Sequence, residues 1–541
     1  MRTPCPVIED QRSQRMVVLQ GRYDVRRNRP SQPDLPLMVL GELPDCSVGE
    51  AQFTLWYLRG KRLIEQTEDG WAITVAGVDC VEANHLEQAA DAATWRRSTL
   101  TPTPLRATTR RYHTPQPSEA ALSRLGHAAA LLATGAVLWT VASHGIAGLR
   151  SDEVSPREFM AFYTVGHVLN ESPPDLYKTG PFLAKYHALF PSVPGDKEPV
   201  FVHAPFEGLF FQPFARFPYR QALVAWQVFS LGLVGAGFTL VWVSTSSLPR
   251  SLLPVALLVA ISFQPVSVAL LLSGQVSGLT FLWIALAIWC QRRGWDHASG
   301  AALSLCLAKP TLLILLVPML LVGQRWRMVV GFGGGAGVLA LASLMMIGWD
   351  GCLDYAGAIL GFGEAATGRA QGFAPLSRYV DLNSFLRMLG GGSGAVAVPV
   401  LVILGVCLMP GLVRLWRLSP RAGEAGSSLA WAGTLTWTTL LNLYVPTYDT
   451  PIVLLGILLT VDVLIRQGRG RLPLAWQVLI GALYVVPWLP ALPIGGQALL
   501  QPYTVVLVAI GTYQLWLAGR ELTGRVDGGL ARASRYASSS A

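Results

Sequence analysis

The stretch RRGWDHASGAALSLCLAKPTLLILLVPMLLVGQRWR, residues 292–327, decides how this chain is threaded. Read as one helix, it places Lys309-Pro310 in the middle of the hydrocarbon, where a charge costs about 2.5 kcal/mol or more. It would also put Arg292-Arg293 and Arg325/Arg327 on opposite sides of the membrane. Read as a hairpin of two short helices with Lys309-Pro310 at its tip, both arginine clusters fall on one side. Pro310 favours the hairpin, because proline cannot continue the i to i−4 hydrogen-bond ladder. Each arm is shorter than the ~20 residues that cross a bilayer, so neighbouring helices must bury it.

Working outward, apolar spans are predicted at 125–148, 221–243, 252–272, 275–290, 328–348, 394–413, 428–445, 450–465, 473–490 and 501–518. With the hairpin this is an all-α polytopic membrane protein of about 11–12 membrane helices and about twelve crossings. Arg250, Arg292/Arg293, Arg325/Arg327, Arg414/Arg417/Arg421, Arg466/Arg469/Arg471 and Arg520/Arg525 then share the side of the N-terminus. The positive-inside rule makes that side the cytoplasm. The expected location is the cytoplasmic (inner) membrane, with both termini inside. The outer face receives loops 149–220 and 349–393 and three short turns, at Ser273-Gly-Gln275, Lys309-Pro310 and Tyr444 to Asp449.

Composition agrees with this threading. Of 541 residues, 52% are hydrophobic and 14% charged, against about 25% charged in soluble domains, which excludes a disordered, fibrous or wholly soluble protein. The formal charge is +9, yet residues 1–120 hold 15 basic and 15 acidic residues. The excess therefore belongs to the membrane half and records orientation, so no nucleic-acid partner is expected. Seven cysteines are scattered without CxxC or Cys/His spacing, so neither a disulfide framework nor a metal site is expected. No cofactor is expected. Met1 to Arg29 lacks the apolar core of a signal peptide, which leaves the first hydrophobic helix as the membrane signal.

Four regions are expected: 1–93, 94–124, 125–520 and 521–541. In the first, AQFTLWYLRGKRLIEQTEDGWAITVAGVDCVE (51–82) reads as helix, strand at Leu63-Ile64, acidic turn, strand at Trp71 to Val75, and helix. It resembles a winged-helix module, a small α+β cytoplasmic domain with its core at about 35–90 and Glu68-Asp69-Gly70 at the wing tip. Its neutral charge and acidic tip favour a protein-interaction or regulatory role. Residues 94–124, with Thr101-Pro-Thr-Pro, read as a linker, and 521–541 as a cytoplasmic tail.

The first outer loop carries the densest polar chemistry, with 8 acidic and 7 basic residues. Within it run Glu158-Phe159, Phe162-Tyr163, Gly166, Leu176-Tyr177, His203-Ala204-Pro205-Phe206 and Pro213-Phe214-Ala215. Beyond it come Gly274-Gln275, Lys309-Pro310 and Tyr448-Asp449. In this order the motifs resemble glycosyltransferase family 87, of the GT-C superfamily, over about residues 125–518. The chain departs from the family pattern in having Glu158 where Asp is usual, and Ala204-Pro205 for Pro-Pro. The resemblance implies a membrane glycosyltransferase that moves a sugar, a mannose or a pentose, from a polyprenyl-phosphate donor to a lipid or glycan acceptor on the outer face, with inversion. Glu158 is the expected general base and Asp152 the alternative. Lys309 and Arg387 are expected to hold the phosphate, and Tyr163, His203, Gln275, Tyr448 and Asp449 to line the site.

The residues alone reach a compatible mechanism: a carboxylate to take the acceptor proton, a cation for the leaving phosphate, and a greasy wall for the lipid tail. Each residue also has a plainer reading. Glu158 could pair with Arg157, Lys309 could snorkel to the interface, His203 could be a hydrogen-bonded structural residue, and Asp449 could cap the next helix. The glycines of GFGGGAG (331–337) are read as close helix packing, not a phosphate loop. Two other classes remain: a transporter or lipid-handling permease with a regulatory domain, which should place its polar groups mid-membrane in repeated halves, and a membrane-anchored transcription regulator, which needs a basic recognition helix.

Overall fold

The computed structural model describes residues 157–193, 199, 201–364, 375–390, 396–420, 423–443, 445–467, 472–495 and 498–539, with isolated positions between 58 and 143. The expected span 125–148, Asp152, the linker, the wing tip and Tyr444 lie outside the described residues, apart from three helical positions within the span.

The chain divides into two units, 1–116 and 117–541. In the first, strands β1 (Ile64–Gln66) and β2 (Trp71–Ile73) pair antiparallel, with Ile64 opposite Ile73, where the two strands were expected. Leu58, Ile64 and Val81 are buried there.

The second unit is helical. Its helices are α1 (Arg157–Glu171), α2 (Thr179–Leu189), α3 (Tyr219–Ser244), α4 (Leu253–Ser262), α5 (Ser277–Arg292), α6 (Asp296–Ser304) and α7 (Leu316–Val322). They continue with α8 (Trp326–Glu364), α9 (Leu382–Leu389), α10 (Ala397–Leu418), α11 (Gly423–Leu440), α12 (Ile452–Gln467), α13 (Leu474–Val485) and α14 (Pro502–Ser539). A short hairpin, β3 (Leu492–Gly495) with β4 (Ala498–Leu500), joins the last two. Three of these helices, α3, α8 and α10, are long and apolar enough to cross a membrane. α8 and α10 leave large apolar side chains exposed, among them Val338, Met345, Val402 and Val406, an arrangement that water disfavours and lipid accepts.

The hairpin reading of 292–327 holds. α6 runs away from Arg292, two 3-10 turns (Leu305–Ala308 and Pro310–Leu313) flank Lys309, and α7 returns to Arg325. Asp296, at the start of α6, acts electrostatically on Arg325 beyond α7, which puts both ends on one side. Pro310 strands backbone groups at the tip, and the end of α11 with the turn after it satisfies them. Asn442 Nδ2 donates to the Thr311 carbonyl at 2.9 Å, and the Leu315 amide donates to Thr438 Oγ1 at 3.3 Å. Cys306, Leu312, Leu316 and Leu320 are fully buried, as the shortness of the arms requires.

The GFGGGAG segment packs α8 on α6. A Cβ on Gly331 would lie 2.0 Å from the His297 carbonyl oxygen, and one on Gly335 would lie 2.2 Å from Ser304 Oγ. Conversely, a Cβ on Gly300 would lie 1.9 Å from the Met328 carbonyl oxygen. Small residues thus bring the two backbones together.

Two expectations need correction. The span 252–272 is not one helix: α4 stops at Ser262, Phe263 is extended, and a π-helical turn occupies Ser267–Leu272. Pro265 lacks the amide the ladder needs, and Ser267 Oγ instead bonds the Ile261 carbonyl at 2.6 Å. The loop expected at 349–393 opens as helix through Glu364, after a bend at Gly348, whose φ of 74° suits glycine. At the C-terminus, α14 runs on to Ser539, through the region 521–541 expected as a cytoplasmic tail.

One end of the unit is an arginine cluster. Asp462, fully buried on α12, accepts from Arg466 Nη2 at 2.5 Å and from Ser247 in the turn after α3. Arg292 from α5 and Arg466 both bridge to Glu424 of α11, at 2.9 and 3.0 Å. α11 is buried along nearly its whole length, and Thr434 and Thr436 return their hydroxyls to the carbonyls four residues back.

Candidate functional site

The other end gathers the turns. Gly274, at φ 68°, directs its carbonyl to Trp226 of α3, whose Nε1 donates at 2.9 Å. That fixes the approach to α5, whose first residue, Ser277, donates from Oγ to Asp449 Oδ1 at 3.0 Å. Lys309 Nζ donates to the same oxygen at 2.5 Å, and it also lies 5.1 Å from the centre of the Tyr448 ring. Gln275, Lys309 and Asp449 are all buried. Three of the expected outer turns thus meet at one point. The Lys309 charge faces a carboxylate and an aromatic ring, both of which stabilise an ammonium.

The second inter-span loop is tied to the same place. Asp381, fully buried, caps α9 by accepting the Ser384 amide at 2.8 Å, and it accepts the Val445 amide at 2.7 Å. Burial pushes its carboxyl up to about 7, against the pull of these hydrogen bonds. The Val380 amide adds a bond to the Val445 carbonyl at 2.9 Å, and Tyr379 pairs with Pro446. Arg387 stands in the last turn of α9, and its Nε is buried without a partner among the described residues.

The first loop is built on α1. A Cβ on Gly166 would lie 2.5 Å from the Phe211 carbonyl oxygen, so the glycine lets the 3-10 segment Pro205–Phe210 and its continuation lie directly on α1. The Tyr163 hydroxyl donates to the Phe217 carbonyl at 2.7 Å, and its ring meets those of Phe159, Phe190 and Tyr219. Tyr163 therefore braces the loop. Glu158 stands half-buried in the first turn of α1 and acts electrostatically on the Tyr219 hydroxyl. Its neighbour Phe159 stacks on Trp226 at 6.1 Å, and Trp226 holds Gly274. Two packed aromatic rings thus connect the first turn of α1 to the Gln275 turn.

His203 donates or accepts through Nδ1 with Glu207 Oε2 at 2.7 Å, and the Glu207 side chain is fully buried. The segment Pro205–Phe210 packs against Leu305–Ala308, directly before Lys309. Glu207, Ser277, Trp226 and Asp381 are the residues that sequence reading missed. Of these, only Glu207 carried a signal, its spacing of four from His203. A cavity of about 410 Å³ lies at the arginine end instead, lined by Arg414, Leu515, Trp516 and Arg520, and it touches none of these turns. Among the described residues, no group of three His, Cys, Asp or Glu is placed to hold a metal ion.

The family model of glycosyltransferase family 87 matches residues 201–446. The match takes in His203, Gln275, Lys309 and Arg387, and leaves Glu158 before it and Tyr448-Asp449 just after it. No curated protein and no solved structure matches the chain.

Proposed function

We propose that this chain, whose residues 201–446 match the model of glycosyltransferase family 87, is a membrane glycosyltransferase whose donor is a polyprenyl-phosphate sugar, whose acceptor is a lipid or glycan hydroxyl, and whose site is the cluster of turns around Lys309. The convergence of Gly274 to Ser277, Lys309 and Tyr448-Asp449 on one buried point carries this reading. The polar groups of this cluster lie at one end of the bundle, where a lipid phosphate resides, and not at mid-membrane as a permease would need.

In the reaction, the carboxylate of Glu158, or of Asp152, takes the proton of the acceptor hydroxyl. The oxygen attacks the anomeric carbon from the face opposite the phosphate, the carbon–oxygen bond to the phosphate breaks, and polyprenyl phosphate leaves with the electron pair. One displacement inverts the centre and needs a single base, unlike the carboxylate pairs of glycosidases. Lys309 is already neutralised by Asp449, so the pair orders the turn and offers only its remaining ammonium hydrogens. The Arg387 guanidinium, whose buried Nε has no partner among the described residues, supplies the net positive charge for the leaving phosphate through its terminal nitrogens. Gln275 and Tyr448 flank the sugar. The active end faces outward, away from the arginine cluster, in the cytoplasmic membrane.

The test is sugar transfer from synthetic polyprenyl-phosphate mannose and pentose by purified protein, comparing wild type with Glu158→Gln and Asp152→Asn. Loss of the base should lower the rate by about 100-fold or more in one variant. Equal rates in all three would remove the carboxylate mechanism, and no consumption of either donor would remove the donor assignment.

A further inference from the structure

His203 sits in a cage. Phe201 stacks on its ring at 5.5 Å and 14°, Phe162 meets it edge-on at 5.4 Å, and Tyr177 bonds its carbonyl at 2.5 Å. Its Nδ1 is held by Glu207 Oε2 at 2.7 Å. The other oxygen of that carboxylate, Oε1, is buried and has no partner among the described residues. Burying a carboxylate with a single hydrogen bond is expensive, so the packing around Glu207 commits it to one task, the imidazole. The Tyr177 and Tyr355 hydroxyls also lie close enough to feel its charge.

A carboxylate at Nδ1 can only accept, so it keeps the Nδ1 hydrogen and, of the two tautomers of the neutral ring, selects the one whose Nε2 is an acceptor. The Nε2 of His203 has no protein partner among the described residues and is not one of the closed-off nitrogens, and the side chain is 18% exposed. The segment that carries the pair lies against Leu305–Ala308, beside Lys309.

We propose that Glu207 is a positioning residue that presents His203 Nε2 as a hydrogen-bond acceptor to a sugar hydroxyl, of either the donor or the glycan acceptor, held over the Lys309 turn. This rests on the glycosyltransferase reading of the same end of the molecule. It extends that reading with a recognition role for His203 that depends on a residue touching no substrate. The aromatic cage keeps the ring from turning, so the direction of Nε2 is set before substrate arrives.

Two measurements test it. In transfer assays with donor and acceptor varied separately, His203→Ala and Glu207→Gln should each lower kcat/KM by roughly 10-fold or more. The KM that rises identifies whether donor or acceptor carries the hydroxyl. The double variant should be no worse than His203→Ala alone, because Glu207 acts only through the ring. Independently of any substrate, ¹⁵N resonances of the His203 ring should show a protonated Nδ1 and a bare Nε2 in the wild type. They should show the reverse, or a mixture, in Glu207→Gln, whose amide can donate to Nδ1. A bare Nδ1 in the wild type overturns the proposal, as does Glu207→Gln transferring at the wild-type rate. If wild type consumes no polyprenyl-phosphate sugar, the donor assignment fails while the tautomer measurement still decides the role of Glu207. If Glu158→Gln is inactive but His203→Ala is fully active, only the recognition role is lost.

Discussion

Lys309 and Asp449, 140 residues apart in sequence, meet at 2.5 Å with side chains 9% and 7% exposed. A pair this buried is costly to halve: removing one partner leaves an uncompensated charge, typically at about 3–5 kcal/mol, while replacing both with apolar residues is often close to neutral. Lys309→Met or Asp449→Asn alone should therefore lower the melting temperature in detergent, and Lys309→Met with Asp449→Leu should restore most of it. Transfer should stay lost in all three, because in the proposed function the turn assigned to the donor depends on the polar pair. Recovery of activity in the double variant would reduce the pair to a structural tie. Asp381 has a different role, joining α9 to the Val445 turn through two backbone amides. Neither partnership was legible beforehand, since Asp449 reads locally as a helix cap and Asp381 as one loop carboxylate among several.

At the scale of elements, what was legible followed local rules. Pro310 and the short arms dictated the hairpin, and the glycines of 331–337 indicated close packing. Here the structure distinguishes positions that sequence cannot. Gly331 and Gly335 face α6 at distances that forbid a Cβ, whereas Gly333 and Gly334 face open space. Gly331→Ala should destabilise the protein, since the obstruction is the His297 backbone, while Gly333→Ala should be neutral or raise stability by up to about 1 kcal/mol, as alanine does over glycine in helices. Thermal unfolding of the two variants checks this, and equal effects would contradict the packing of α6 on α8. The failures at this scale have physical causes too. Apolar count alone could not show that Pro265 would divide 252–272, or that Gly348 would bend α8 and not end it, because hydropathy registers the solvent and not the hydrogen-bond ladder.

For the molecule as a whole, the two ends differ in chemistry: arginines with Glu424 and Asp462 at one, the Lys309 turns at the other. The proposed orientation places the first inside and the second outside. In a background with the native cysteines replaced, Leu443→Cys at the turn end should react with an impermeant thiol reagent added to intact cells. Pro420→Cys at the arginine end should react only after the membrane is opened. The opposite pattern would invert the protein and move the chemistry to the cytoplasmic face.

The sequence by itself determined that this is a helical membrane protein, that 292–327 is a hairpin, and that its arginines share one side. Each follows from rules that act within a single segment: the hydrocarbon thickness, the missing proline amide, and the cost of a charge in lipid. Only the tertiary structure decided which polar groups meet. That Asp449 neutralises Lys309, that Arg387 keeps an Nε with no partner among the described residues, and that Glu207 turns its buried carboxylate to His203 depend on how separate helices and loops pack. A buried charge is stabilised by whichever partner the packing brings within hydrogen-bond reach, and one-dimensional spacing does not carry that information.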